Sequence, residues 1–205
     1  LSFFFALITV LSFFNIIYSY YLNLYLNLNT YYFSFVLSLI IAILFYKIRV
    51  PDVKINIFKK ILTVFLGYIL LPLILSIPFY LSIYDFSFLD SFFETISGFT
   101  STGFTILSNI KNIDQSLILW RSSTQWIGGL YFLFSIIFLI DIYDENFKKT
   151  LTNFISFNSS EILKQVTKIF FLYSALTLFI FIVLNFFSIR TFDSLNLAFT
   201  IISSG

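Results

Sequence analysis

Five separate runs of about twenty predominantly apolar residues limit the fold of this chain more than any other feature. The runs are 1–22, 28–48, 61–83, 116–142 and 167–189. Each is long enough to cross a hydrocarbon core of about 30 Å as an α-helix. Charged residues make up only 11% of the chain, whereas globular proteins have about 25%. The pattern predicts an all-α, polytopic membrane protein surrounded by lipid.

The positions of the basic residues predict the orientation. Two links hold most of the twelve basic residues, namely Lys47, Arg49, Lys54, Lys59, Lys60, Lys148, Lys149, Lys164 and Lys168. Because cytoplasmic loops are rich in Lys and Arg, we expect both links and the N-terminal end on the cytoplasmic side. The expected location is the inner (cytoplasmic) membrane, crossed several times.

Two missing residue types restrict the chemistry. The chain has no His and no Cys, which removes the usual zinc, haem and iron–sulfur ligands, Ser-His triads and Cys nucleophiles. An enzyme is therefore not predicted, and no cofactor is expected in this chain. The net charge of +2 gives no electrostatic case for a nucleic-acid partner.

Residues 87–107 form an unusual link between the third and fourth runs. They are too apolar for a solvated loop, yet too short and too polar to cross the membrane, so we expect them to enter it and return. Asp90 or Ser91 can cap a short helix that ends near Ser97. The Gly, Ser and Thr residues that follow favour an irregular backbone, which membranes tolerate only inside protein or along a water-filled path.

Such a backbone suits a monovalent cation. Stacked carbonyl oxygens can replace the water of a dehydrated alkali ion, and a helix C-terminus that faces the membrane interior favours positive charge. Residues 100–104 are the candidates for this role. The alternative is that small residues in this loop only let helices pack closely.

An internal repeat argues against packing alone. An offset of 103 residues places Asp90-Ser91 on Asp193-Ser194 and Thr100-Ser101 on Ser203-Ser204. The third apolar run then overlays the fifth. The predicted repeating unit is a helix, a re-entrant loop and a second helix, and several such units around one axis can supply a ring of carbonyls.

Two motifs carry a family resemblance. Residues 93–105 read Phe-Glu-Thr-Ile-Ser-Gly-Phe-Thr-Ser-Thr-Gly-Phe-Thr, and 119–129 read Leu-Trp-Arg-Ser-Ser-Thr-Gln-Trp-Ile-Gly-Gly. They resemble the first pore loop and following helix of the Trk/Ktr/HKT potassium transporters, most closely the TrkH type. The resemblance implies a pseudo-fourfold pore, a homodimer and a cytoplasmic nucleotide-binding regulatory subunit.

The resemblance also implies a division of the chain. Two leading helices occupy 1–50, and the first helix–pore loop–helix unit occupies 51–150. A second unit occupies 151–205 and stops within its pore loop, so the chain is expected to be a fragment.

Carried over by residue, the resemblance identifies a selectivity filter. The first loop supplies Thr100, Ser101, Thr102, Gly103 and Phe104, with potassium at Ser101, Thr102 and Gly103; the second loop supplies only Ser203, Ser204 and Gly205. Glycine at position 103 is associated with potassium selectivity and serine with sodium transport. The implied function is potassium uptake. A sodium-permeable or ion-coupled member of the family, or a non-conducting membrane scaffold subunit, are the alternatives.

Five polar or small residues are candidates for supporting the filter. They are Glu94, Arg121, Gln125, Gly128 and Gly129. Glu94 either adds negative potential near the ion path or faces outer water and holds a neighbouring helix. Arg121 either pairs with Glu94 or Asp90, which is slightly favoured, or extends toward the outer interface. Gln125 is expected to bond the loop backbone, and the two glycines to allow its close approach.

Overall fold

The computed structural model describes residues 1–48, 57–83, 86–107, 113–139 and 162–205. Every regular element among these residues is an α-helix: α1 (Ser2–Tyr21), α2 (Leu28–Lys47), α3 (Ile57–Leu75), α4 (Ile77–Ser82), α5 (Phe88–Phe99), α6 (Gln115–Leu139), α7 (Ile162–Phe186) and α8 (Thr191–Ile202). Within this part of the chain, five apolar helical segments are long enough to cross a membrane. The predicted all-α, multi-pass architecture is confirmed.

The third span is interrupted near its C-terminal end. Pro72 lies inside α3, and Pro78 lies in the first turn of α4. Because Pro78 has no N–H, the helical hydrogen bond to the carbonyl four residues earlier cannot form. Between the two helices, the Ser76 hydroxyl donates to the Leu73 carbonyl at 2.8 Å. The span is therefore divided into a helix of 19 residues and one of 6 residues, and the second leads to the start of α5.

The core of the molecule surrounds Tyr131 of α6. Its ring lies 4.8 Å from that of Phe4, 5.0 Å from that of Tyr68 and 5.6 Å from that of Phe99, measured between ring centroids. Its hydroxyl donates to the Val64 carbonyl at 3.0 Å. These contacts join α1, α3 and the C-terminal end of α5 to one point on α6.

Two buried tryptophans fix α6 against its other neighbours. The indole N–H of Trp120 donates to the Leu75 carbonyl at the end of α3, at 3.0 Å. The indole N–H of Trp126 donates to the Thr177 hydroxyl of α7, also at 3.0 Å. Because both donors have acceptors, the two large rings can be buried without an unsatisfied N–H. Helix α6 is thus attached to both α3 and α7.

Some predictions concern residues outside the described ranges. Arg49, Lys54, Lys148 and Lys149 of the basic links are among them. The cytoplasmic orientation of the links stays a prediction, as does the division of the chain at 50 and 150.

Candidate functional site

The short helix α5 begins with a capping box. The Ser87 hydroxyl accepts the backbone N–H of Asp90 at 3.2 Å, and the Asp90 carboxylate accepts the backbone N–H of Ser87 at 3.1 Å. This reciprocal pair satisfies two of the free N–H groups at a helix start. Asp90 thus takes part in the cap, as expected, but the N-cap itself is Ser87, three residues earlier than Asp90.

The end of α5 is a Schellman turn, in which two backbone N–H groups close the helix. Ser101 N donates to the Gly98 carbonyl, and Thr102 N donates to the Ser97 carbonyl, both at 3.0 Å. Ser101 has φ 55°, a left-handed conformation usually adopted by glycine at this position. The helix runs to Phe99, slightly beyond the predicted end near Ser97, and then turns sharply.

Residues 102–107 form an irregular, mostly exposed strand after this turn. Gly103 has φ 80°, where a side chain is strained. A Cβ atom at this position would meet no other atom within 4 Å. Within this chain, the backbone conformation therefore explains the glycine, rather than crowding by neighbours. The Thr100 and Thr102 hydroxyls lie 2.6 Å apart beside it.

Helix α8 ends in the same turn. Ser204 has φ 57°, and its N–H donates to the Ile201 carbonyl at 3.1 Å, while Gly205 N donates to the Thr200 carbonyl at 2.9 Å. Each donor and acceptor is 103 residues after its counterpart in α5. The register that the sequence repeat predicts is thus present in the backbone. Ser203 is buried, and Ser204 and Gly205 are exposed.

Side chains of α5 hold the strand that follows it. The Ser97 hydroxyl donates to the Phe104 carbonyl at 2.7 Å. The Glu94 carboxylate accepts the Thr105 hydroxyl at 3.0 Å from each oxygen and the backbone N–H of Ile106 at 3.0 Å. Three consecutive residues of the strand are therefore bonded to the helix. The Phe104 carbonyl points toward α5 and is already hydrogen-bonded to the Ser97 hydroxyl.

Glu94 also binds α6. The Arg121 guanidinium donates through Nε to Glu94 Oε1 at 2.7 Å. Of the two partners considered from the sequence, Arg121 has Glu94, because Asp90 is used in the capping box. Glu94 is only 1% exposed, so it does not face outer water, although it does hold the neighbouring helix α6 as that alternative expected.

The two glycines of α6 each approach a different loop. A Cβ atom on Gly128 would lie 1.9 Å from the Phe99 carbonyl oxygen at the end of α5. A Cβ atom on Gly129 would lie 2.6 Å from the Tyr173 hydroxyl and 2.9 Å from Ser203 Cα at the end of α8. Any larger residue would push one loop away. The expected close approach is present at both loops.

Gln125 lies on the same side of α6 but does not bond as expected. Its Oε1 atom is buried and has no hydrogen-bond partner. This oxygen would lie 3.0 Å from a Cβ atom on Gly205, yet the Gly205 N–H already donates to Thr200. Among the described residues, the predicted bond through Oε1 is therefore not formed.

Sequence reasoning missed three contacts that shape this site. Ser97, Thr105 and the backbone N–H of Ile106 hold the strand, but none of them was singled out. Ser97 and Thr105 fall inside the motif at 93–105, and their spacing from Phe104 and Glu94 could have indicated such bonds. The N–H of Ile106 gives no signal in a sequence.

Parts of the chain are similar to known membrane transporters, although no protein-family model matches it. It is 42% identical over 65 residues to an uncharacterised cation transporter of Methanocaldococcus jannaschii, covering 32% of this chain and 14% of that protein. It is 40% identical over 60 residues to the Trk system potassium uptake protein TrkI of Halomonas elongata, covering 29% and 11%. For the Trk system potassium uptake protein TrkG of Escherichia coli the identity is 33% over 64 residues, covering 31% and 13%. Each match spans a small part of the relative.

The fold is similar over nearly the whole chain to the crystal structure of the potassium transporter TrkH from Vibrio parahaemolyticus. The TM-score is 0.68 at 17% identity, covering 97% of this chain and 42% of that one. At this identity the likeness shows the fold alone. The relatives named above are transporters rather than enzymes, in agreement with the prediction from the sequence. Local sequence similarity and fold thus point to the same group of proteins: this chain is similar to Trk-type membrane transporters, of whose length it spans a part.

Proposed function

We propose that this chain forms part of a membrane pore for potassium uptake, with residues 100–104 contributing to the selectivity filter. The observation that carries the proposal is the helix, left-handed turn and irregular strand of 88–107, whose first part recurs in 191–205. A non-helical strand at membrane depth needs protein or water around it. Its repetition fits several strands that surround one path.

The chemistry of the strand suits an alkali cation. The C-terminal end of α5 carries partial negative charge and favours a cation beyond it. The Phe104 carbonyl is bonded to Ser97, so the carbonyls of Ser101, Thr102 and Gly103 are those proposed to bind potassium. In the second loop, Ser203, Ser204 and Gly205 would supply the start of the corresponding strand. The choice of potassium over sodium rests on Gly103 and on the family resemblance.

The assembly around this chain is also a proposal. Two loops cannot surround an ion, so a pseudo-fourfold pore requires two further loops. A homodimer in the inner membrane and a cytoplasmic nucleotide-binding regulatory subunit are the proposed partners. The relatives TrkI and TrkG are named as Trk system potassium uptake proteins, which supports the substrate.

Uptake of radioactive rubidium, a potassium analogue, tests the proposal. The full-length protein is reconstituted in lipid vesicles, and vesicles without protein are the control. We expect uptake that excess external potassium suppresses strongly and excess sodium suppresses weakly. Equal suppression by sodium would favour the sodium-permeable alternative. No uptake above the control would favour the non-conducting scaffold.

A further inference from the structure

Glu94 is the described residue that joins the candidate filter strand to two helices at once. It lies on α5 and is 1% exposed. Its Oε1 accepts Arg121 Nε of α6 at 2.7 Å and the Thr105 hydroxyl at 3.0 Å. Its Oε2 accepts Thr105 again and the Ile106 backbone N–H, both at 3.0 Å. A carboxylate can accept several donors in this way.

These bonds fix the far end of the strand. At its near end, the Thr102 N–H is bonded to the Ser97 carbonyl in the Schellman turn. At its far end, Phe104 is held by Ser97 and the next two residues by Glu94. Only Gly103 lies between the two attachments. The depth and direction of the proposed ion-binding carbonyls therefore depend on the position of the far end.

The second repeat shows that the helix end can fold without an acid at the position of Glu94. The offset of 103 residues places Leu197 where the first repeat has Glu94. Helix α8 nevertheless ends in the same Schellman turn, with Ser204 at φ 57°. An acid at this position is therefore not needed to end the helix. What Glu94 adds is the attachment of the strand.

Charge makes the attachment specific. A buried carboxylate is costly unless it is paired and hydrogen-bonded, and Arg121 supplies the opposite charge from α6. Helix α6 also contacts the end of α5 through Gly128. The same helix, α6, thus sets the position of Glu94 and of the turn that starts the strand. Both ends of the strand are therefore positioned by α6.

We propose that Glu94, held by Arg121, is a positioning residue that sets the first filter strand and thereby the discrimination of potassium from sodium. The inference rests on the proposed function, because it assumes that residues 101–103 bind the ion. It goes beyond that function by assigning selectivity to a side chain that does not itself touch the ion.

A matched pair at Thr105 tests the inference with little risk to folding, because Thr105 is exposed. Thr105→Val keeps the shape of the side chain but removes the hydroxyl that Glu94 accepts, whereas Thr105→Ser keeps the hydroxyl. Both variants are compared with Glu94→Gln in the full-length protein, by rubidium uptake with sodium as competitor. Asp90→Asn is a further control, since it alters an acid of the same helix that bonds only at the helix start.

We expect the rubidium-over-sodium preference to fall about tenfold in Thr105→Val and Glu94→Gln, the size expected for losing one hydrogen bond to a charged group. Thr105→Ser and Asp90→Asn should keep the wild-type preference. If Thr105→Val keeps it while yield or thermal stability changes, Glu94 is only structural and the inference is wrong. Should Glu94→Gln fail to fold, the Thr105 pair decides. Absence of rubidium uptake by the wild type would instead contradict the proposed function itself.

Discussion

The two short helices α5 and α8 end in the same backbone turn, but different side chains hold them in the molecule. Helix α5 starts with the Ser87–Asp90 capping box, whereas α8 follows Arg190 without a side-chain cap, and Arg190 pairs with Asp193 at 3.1 Å. Glu94 is buried in α5, and its counterpart Leu197 is 41% exposed.

The difference shows which part of a re-entrant loop is determined by nearby residues and which part depends on contacts with other helices. The Schellman turn needs only backbone groups within six residues, so both repeats can form it despite different surroundings. The course of the strand after the turn depends on contacts with other helices. In the first loop those contacts come from Glu94 and Ser97, and a change there should alter the strand without changing the turn.

The largest expected effect comes from making the first helix resemble the second with Glu94→Leu. This leaves Arg121 without its acceptor, and breaking a buried ion pair costs about 3–5 kcal/mol. Because the Arg121 side chain is 20% exposed, we expect the free energy of unfolding to fall by about 3 kcal/mol. Thermal unfolding of the purified full-length protein in detergent measures the loss.

The double variant Glu94→Leu with Arg121→Met is the control for this change. Replacing both members of a buried ion pair with apolar residues is often neutral for stability. We expect stability to return while the rubidium-over-sodium preference stays low. If the double variant kept the wild-type preference, the first strand would not need the Glu94–Arg121 pair that the second repeat lacks.

The adjacent glycines of α6 allow the two loops to be disturbed separately. Gly128→Ala would bring a Cβ atom 1.9 Å from the Phe99 carbonyl oxygen, which is backbone, while the shortest contact of a Cβ atom on Gly129 is with the Tyr173 hydroxyl at 2.6 Å. Overpacking a core costs about 1–3 kcal/mol. We expect the loss of stability to be near the upper end of this range for Gly128→Ala and nearer the lower end for Gly129→Ala. Unfolding temperatures of the two variants measure the order, and the reverse order would contradict this comparison.

Gly103→Ser tests the strand itself. The substitution places a side chain at φ 80°, and a left-handed conformation costs an ordinary residue about 1–2 kcal/mol. We expect a shift of the strand and a lower rubidium-over-sodium preference in the uptake assay. An unchanged preference in a well-folded variant would remove residues 101–103 from the filter.

The smallest effects are expected at the two left-handed serines. Ser101→Gly and Ser204→Gly each remove the strain of a side chain at φ near 55°, offset by the greater flexibility of glycine when unfolded. A net gain of about 0.5–1 kcal/mol is expected for each. Because the turns have the same hydrogen bonds, the two gains should be equal. Unequal gains by thermal unfolding would mean that the surroundings also strain one of the turns.

The features of this structure that come from long apolar runs or from the internal repeat could be predicted from the sequence. Long apolar runs predicted the spans, and the offset of 103 residues predicted the shared register of α5 and α8. Residue-level support was harder, because it depends on helices that are distant in sequence. Gln125 was assigned a bond to the loop backbone, but its buried Oε1 has no partner among the described residues. The capping residue was missed because Ser87, Asp90 and Ser91 are all good caps, and only geometry selects among them.

The adjacency of Gly128 and Gly129 also determines how the loops are arranged around α6. Successive residues of an α-helix point in directions about 100° apart. Phe99 and Ser203 therefore approach α6 at roughly a right angle to each other, and not from opposite sides. Both loop ends therefore lie on the same half of α6, so a rotation of this one helix about its axis would displace both turns together.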